Sequence, residues 1–175
     1  LRSLKRANEL GLTTVVERSS AHIATQREIL ETEYERLGLG EPPISASDIA
    51  WERAEYETAA YISVPSRFVY RSFIDRGYPP EKLIRVPLGV DPLPSGERTL
   101  SKETTQFLYV GGVSVRKGVR HLLEAWDLAD TGDATLSIVG NIDPEMQWLT
   151  REYSDDETVD IHGWIDSEEL SRLYT

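Results

Sequence analysis

Cysteine is absent from the 175 residues, and lysine is scarce, with 4 lysines beside 15 arginines. Without cysteine, this chain can form no disulfide, thiol nucleophile or thiolate metal site. No apolar run approaches the roughly 18 residues of a membrane-spanning helix. No segment concentrates basic residues, and for that reason we expect no nucleic-acid partner.

Acidic residues outnumber basic ones by 30 to 19, which gives a formal net charge of −11. Many acids with few lysines is the profile of a salt-adapted (halophile) cytoplasmic protein. The alternative is an ordinary solvated acidic surface encoded by a genome rich in G and C. Because net charge bears on solubility and partners rather than on fold, it leaves the function open.

Short β-branched runs alternate with amphipathic stretches, which predicts an α/β protein with mostly parallel sheets. A buried strand is predicted at 12–17, and further strands are predicted at 60–64, 83–86, 107–110, 135–139 and 159–161. Helices are predicted at 20–37, 47–58, 66–76, 117–129 and 146–153, and a last helix follows the cap Ser167. The apolar side of the first helix consists of Ile23, Ile29, Leu30, Tyr34 and Leu37. A segment rich in Pro, Ser, Gly and charge interrupts the alternation. We therefore expect parts of two Rossmann-like domains, 1–94 and 105–175, joined by a linker at 95–104.

Both ends of the chain predict an internal piece of a longer protein. The first residue is Leu1 rather than methionine, and it opens a polar stretch of mixed charge. The last residue, Thr175, falls within the last predicted helix, where a domain rarely ends.

One glycine-containing loop has the residues that a pyrophosphate needs. In FLYVGGVSVRKGVRHLLEA, residues 107–125, a strand runs into Gly111 and Gly112 and then into a helix start bearing Arg116 and Lys117. Glycines allow close backbone approach, a helix start presents N–H groups, and lysine supplies a cation. The segment is neither a P-loop nor a dinucleotide fingerprint. A plain strand–helix turn with exposed basic residues remains the alternative.

Four stretches together resemble glycosyltransferase family 4, the retaining enzymes of GT-B fold. They are VVERSSAHI at 15–23, AYISVPSRFVYRSFIDRGYPPEKLIRVPLGVDP at 60–92, the loop segment at 107–125, and ATLSIVG at 134–140 with IHGWIDSEELSRLY at 161–174. They span nearly the whole chain. The order S-x-F, then P-x-G-V-D, then V-G-x(5)-K-G makes the resemblance specific.

The resemblance implies that Lys117 binds the donor diphosphate and that Gly111 lets the backbone approach it. The family often has arginine where this chain has Gly112, so Arg116 either supplies that charge or leaves Lys117 to act alone. His162 and Gly163 match a turn that faces the nucleotide base in some members. Gly89 and Asp91 match the family's G-V-D, whose simpler interpretation is a hinge turn.

His22 matches a histidine that related enzymes place near the active-site cleft, and it is the candidate catalytic residue. Its neighbours Arg18, Ser19 and Ser20 lie on a strand-to-helix turn, where α/β folds bind ligands. The alternative is that His22 caps or packs a helix.

The family's two donor-binding glutamates would come after Thr175, and its glycine-rich acceptor loop would precede Leu1. The implied activity is hexosyl transfer from a UDP-, GDP- or ADP-sugar to a sugar, lipid-linked or protein acceptor. No cofactor or protein-bound metal is expected. We expect a cytoplasmic protein, with peripheral association at the inner membrane face as an option. A GT-B sugar-nucleotide epimerase and a non-catalytic sugar-nucleotide-binding module remain alternatives.

Overall fold

Parallel pairing joins six strands into two separate three-stranded sheets, β1-β2-β3 and β4-β5-β6. The computed structural model describes residues 1–89 and 105–174 of the chain. The chain divides into two compact units, Leu1–Pro92 and Leu93–Thr175. The two predicted α/β halves are thus present, each with its own parallel sheet. The predicted linker, 95–104, lies outside the described residues and stays a prediction.

The first unit alternates helices and strands around the β1-β2-β3 sheet. Its elements are α1 (Arg2–Glu9), β1 (Val15–Glu17), α2 (Ile23–Arg36), α3 (Ala46–Thr58), β2 (Tyr61–Val64), α4 (Arg67–Ile74) and β3 (Leu83–Arg85). β2 is the central strand, with Ile62 opposite Val16 on one side and Leu83 on the other. Ile62 and Val64 of this central strand are completely buried.

The second unit repeats the same plan. Its elements are β4 (Gln106–Val110), α5 (Val119–Leu128), β5 (Thr135–Val139), α6 (Leu149–Glu152), β6 (Val159–Gly163) and α7 (Ser167–Leu173). Leu136 and Ile138 of the central strand β5 face a core that includes Val119, Leu123 and Leu149, all at most 1% exposed. The helices therefore cover the sheet with the apolar positions that the 3.6-residue period predicts.

Side-chain caps fix several helix starts. The Ser45 hydroxyl accepts from the Asp48 N–H, and the Asp48 carboxylate accepts from the Ser45 N–H, which forms a capping box at α3. The Ser66 hydroxyl accepts from the Val69 N–H at α4. At α7 the cap is Asp166 and not Ser167 as predicted, because its carboxylate accepts from two N–H groups of the first turn.

Several predictions of detail were wrong. Strand β1 was predicted to be buried, yet Val15 is 51% exposed, because β1 is an edge strand. Ile29 was assigned to the apolar side of α2 but is 46% exposed, since its neighbour Leu30 occupies the inward position. Helix α1 was not predicted, and none of its residues is buried. Within residues 1–89 and 105–174, no helix combines the length and apolar character needed to cross a bilayer.

Candidate functional site

The carboxyl end of the second sheet is where the candidate binding residues meet. Each of its three strands runs into or ends on a glycine: Gly111 follows β4, Gly140 follows β5, and Gly163 ends β6. All three have positive φ, and Gly163 and Gly140 have values of 69° and 146°. Ligands of open α/β sheets bind at this edge. At this edge, one residue at the end of each of three adjacent strands therefore has no side chain.

Hydrogen bonds hold these glycine segments side by side. The Gly111 N–H donates to the Val139 carbonyl at 2.9 Å, and the Gly140 N–H donates to the Gly163 carbonyl at 2.7 Å. A Cβ on Gly140 would lie 1.9 Å from the Gly111 carbonyl oxygen, which makes glycine obligatory there. The close approach of Gly111 is therefore to Gly140, a residue that the sequence analysis did not single out. The repeated Val-Gly after β4 and β5 was the signal that could have found it.

The first part of the loop after Gly112 is buried, and the second part is exposed. Val113, Ser114 and Val115 are buried, and the Val113 N–H donates to the Asn141 carbonyl at 2.8 Å. Arg116 and Lys117, which come next in a short 3-10 turn, are exposed. The buried segment therefore fixes the turn, and the turn presents two adjacent cations to solvent.

Lys117 was predicted in the first turn of the α-helix, and this was wrong by two residues. The 3-10 turn Val115–Lys117 ends at Gly118, whose left-handed φ of 68° separates it from α5. Such a conformation suits glycine and interrupts a continuous helix. The start of α5 therefore follows Lys117 instead of containing it. Only Gly118 separates Lys117 from the first turn of α5.

Arg116 lies near the aromatic residue that braces the glycine loop. The Tyr109 hydroxyl donates to the Gly112 carbonyl at 3.0 Å. Burial raises the pKa of Tyr109, and the positive charge of Arg116 opposes that rise. The guanidinium thus acts on the phenol that holds Gly112. In the described part of the chain, Arg116 and Lys117 form no ion pair, so both charges remain available to an anion.

His162 lies within β6, not in the turn that the sequence predicted. Its side chain is 24% exposed, and its Nε2 lies 3.4 Å from the Asp160 carboxylate. That Nε2 makes no hydrogen bond to any described residue. His162 and Gly163 thus lie on the same sheet edge as the glycine loop, and contact with a base stays a prediction.

His22 lies in the first unit and is 2% exposed. Its Nδ1 accepts from the Ala24 N–H at 3.2 Å, which caps α2. The ring packs against Tyr56, Phe73 and Tyr78 at centroid distances of 5.3, 5.2 and 5.5 Å. This geometry favours the capping and packing alternative, and the catalytic role stays a prediction.

Burial, and after it the positive charges of Arg76, Arg53 and Arg18, together lower the pKa of His22 to about 4. Its Nε2 has no hydrogen-bond partner among the described residues. The ring is consequently neutral near pH 7.

Two further points concern the predicted hinge turn and possible metal ligands. Gly89 is exposed, and its partner in the predicted hinge turn, Asp91, lies outside the described residues. Across residues 1–89 and 105–174, no group of three or more His, Cys, Asp or Glu side chains could hold a metal ion.

Comparison with known proteins gives a structural likeness. No protein-family model matches the chain, and no curated protein matches it. The apo form of the lipopolysaccharide outer core galactosyltransferase WaaB is similar over 97% of this chain, with 18% sequence identity and a TM-score of 0.49. The chain spans about half of that structure, 48% of its length. A function has to be inferred from the site itself.

Proposed function

We propose that this chain is part of a retaining, nucleotide-sugar-dependent glycosyltransferase of the GT-B type and family 4. The second unit would bind the diphosphate of a UDP-, GDP- or ADP-sugar donor. The observation that carries the proposal is the loop from Gly111 to Lys117, where a braced glycine backbone is followed by two exposed cations that pair with no described acid. The resemblance of four stretches of sequence to that family supports it as well, and three of the four lie outside this loop.

The proposed chemistry is electrostatic. As the bond between the sugar and the diphosphate breaks, negative charge develops on the leaving group. A cation fixed beside that group stabilises the transition state more than the ground state, and this is what accelerates the reaction. Val113 and Val115 are 1% and 5% exposed and so hold the turn in place before the donor arrives. Positioning Lys117 then needs no large reorganisation of the loop.

The remaining parts of the proposal follow from the resemblance. The acceptor is a sugar, a lipid-linked sugar or a protein, and the sugar is transferred with retention of configuration. The protein needs no resident cofactor or metal. It acts in the cytoplasm, with peripheral membrane association as the arrangement for a lipid-linked acceptor.

Replacing Lys117 tests the donor assignment. In the full-length protein that contains this chain, Lys117→Ala should lower kcat/KM by roughly 100-fold or more, the effect of losing about 3 kcal/mol of charge stabilisation. Arg151→Ala is the matched control, because Arg151 is another exposed cation of the same unit, on α6. The control should change kcat/KM by less than about twofold. Near-normal turnover in a well-folded Lys117→Ala protein would remove the donor assignment.

Arg116 allows a rescue experiment within the same test. If Arg116 supplies the charge that the family carries at the position of Gly112, Arg116→Ala should cost about as much as Lys117→Ala. A Cβ at Gly112 would have its nearest neighbour 3.9 Å away, the Asn141 carbonyl oxygen, so this position can accept a side chain. Gly112→Arg should then restore turnover to Arg116→Ala. Absence of rescue in a folded double variant would leave Lys117 as the single cation.

The same preparation separates the two alternative functions. A transferase consumes the donor only when acceptor or water takes the sugar. An epimerase converts the donor into a second sugar nucleotide without any acceptor, and a binding module leaves the donor intact. Product analysis with and without acceptor therefore distinguishes all three.

A further inference from the structure

A cleft of about 270 Å³ in the first unit is lined by three arginines and one tyrosine: Arg67, Tyr70, Arg71 and Arg85. Arg67 is the first residue of α4, and Arg71 follows one turn later on the same helix face. Arg85 is the last residue of β3, which contacts α4. The cleft thus lies at the carboxyl end of the first sheet, the edge where α/β folds bind ligands.

Among the described residues no acid lines this cleft, although the chain as a whole has a net charge of −11. Arg67, Arg71 and Arg85 form no ion pair with any described residue. Other arginines of the same unit are paired, Arg18 with Glu52 and Arg76 with Glu28 among them. Three uncompensated positive charges therefore converge on one concave surface.

Stability of α4 does not account for this arrangement. A cation at the first position of a helix opposes the helix dipole, and two cations four residues apart repel each other. Both effects disfavour the helix. An anion in the cleft would reverse both effects, because it would interact favourably with the helix start and with each guanidinium. Capping of α4 is already supplied by Ser66, so Arg67 is not needed for it.

We propose that this cleft binds a phosphate monoester. Guanidinium groups match phosphate oxygens through paired N–H donors, and the Tyr70 hydroxyl can donate a further hydrogen bond. The cleft is smaller than the roughly 300–1,000 Å³ of a typical small-molecule pocket. It therefore suits a phosphoryl group and its immediate attachment, which a free sugar phosphate or a lipid headgroup would both provide. The inference uses residues of the first unit only and does not depend on the donor assignment of Lys117.

Protection of arginines from phenylglyoxal, read residue by residue by mass spectrometry on the full-length protein, tests the proposal. Inorganic phosphate should slow modification of Arg67, Arg71 and Arg85 by about fivefold or more relative to chloride at equal ionic strength. The reason is that direct guanidinium–phosphate hydrogen bonds protect more strongly than the general screening that any salt provides. Arg6, an exposed arginine of α1, is the internal control and should change by less than about twofold. Equal protection of Arg6 and the three cleft arginines would overturn the proposal, as would no protection at all.

A matched pair of variants adds a second readout. Arg71→Gln should abolish phosphate protection of Arg67 and Arg85, whereas Arg6→Gln should leave it intact. Both changes remove one exposed charge, so a general electrostatic effect would change phosphate protection equally in the two variants. Equal protection in the two variants would therefore contradict a specific phosphate site. If Arg71→Gln fails to fold, Tyr70→Phe serves instead, and phosphate protection that Tyr70→Phe leaves unchanged would overturn the proposal.

Two further arms distinguish the source of the phosphate. Vesicles containing phosphatidic acid carry a lipid phosphate monoester, and vesicles of phosphatidylcholine alone do not. Protection by inorganic phosphate and by phosphatidic acid vesicles indicates a lipid headgroup as a ligand. Protection by inorganic phosphate alone indicates a soluble phosphate monoester. Protection by neither would overturn the proposal.

Discussion

At the scale of single residues, His22 shows how one side chain can be conspicuous in sequence for two different reasons. A histidine beside a strand-to-helix turn matches a family position near an active-site cleft. The same position is also the start of α2, where the Nδ1 of His22 accepts from the Ala24 N–H. Capping needs only local backbone geometry, and the aromatic cluster around the ring excludes water. Those two facts explain the burial of His22 without any ligand.

Burial of His22 predicts a pH dependence of stability. The pKa of His22 is lowered from its ordinary value of 6.5 to about 4 in the folded state, mainly by burial. The unfolded state therefore binds more protons between these values, and stability falls as the pH drops from 6.5 toward 4. Between pH 6.5 and 5 the free energy of unfolding of the first unit should fall by about 1–2 kcal/mol from this residue.

Urea unfolding at pH 7, 6 and 5 measures this dependence. His22→Asn is the informative variant, because asparagine also caps helices while it does not titrate. The variant should be less stable at pH 7 and should lose less stability between pH 6.5 and 5. An identical slope in both proteins would show that His22 does not carry the effect.

At the scale of elements, the β4 and β5 termini are set by a contact between two backbones. The Gly111 carbonyl oxygen occupies the space that any side chain at position 140 would need. Because the obstacle is a backbone atom of an adjacent strand, it cannot turn away as a flexible side chain can. This contact lets the glycine loop and the end of β5 pack closely at the proposed donor-diphosphate site of the second unit.

Gly140→Ala should consequently destabilise the second unit by about 3 kcal/mol or more, from overpacking together with a strained φ. Gly112→Ala is the matched control, since its Cβ would meet nothing closer than 3.9 Å. The control should change stability by less than about 1 kcal/mol. Urea unfolding followed by the fluorescence of Trp126, Trp148 and Trp164, all in the second unit, checks both. Equal losses in the two variants would contradict the close approach.

Helix α1 illustrates an element that sequence periodicity does not reveal. It buries no residue, so it lacks the apolar stripe on which such a prediction depends. Its docking is polar: the Asn8 amide donates to the Thr58 carbonyl, and the Thr14 hydroxyl donates to Asn8. A polar contact between segments 50 residues apart has no local signature.

At the scale of the whole molecule, the charge distribution is uneven. Acidic residues exceed basic ones by 11 over the chain, and most of that excess lies after residue 104. Repulsion among like charges destabilises a compact state, and salt screens it. A salt effect should therefore be larger in the second unit than in the first.

If the acidic, lysine-poor surface is an adaptation to salt, the melting temperature should rise between low salt and molar KCl, where the screening length shrinks to about 3 Å. Asp155→Asn with Glu157→Gln removes two exposed charges of the second unit, and this variant should gain less from KCl. A melting temperature that stays flat or falls would support the alternative of an ordinary acidic surface. Thermal unfolding followed by circular dichroism provides the measurement.

The sequence by itself determined the strand–helix alternation, the two parallel sheets and the loop with its two cations. These depend on period, on β-branched runs and on glycine, which act over a few residues. Boundaries moved by one to three residues where capping chemistry or Gly118 decided them, as in α5 and α7. The tertiary structure alone decided the contact of Gly140 with Gly111, the burial of His22 and the meeting of Arg67, Arg71 and Arg85. Each of these joins residues from different elements, and sequence spacing carries no information about which elements meet in space.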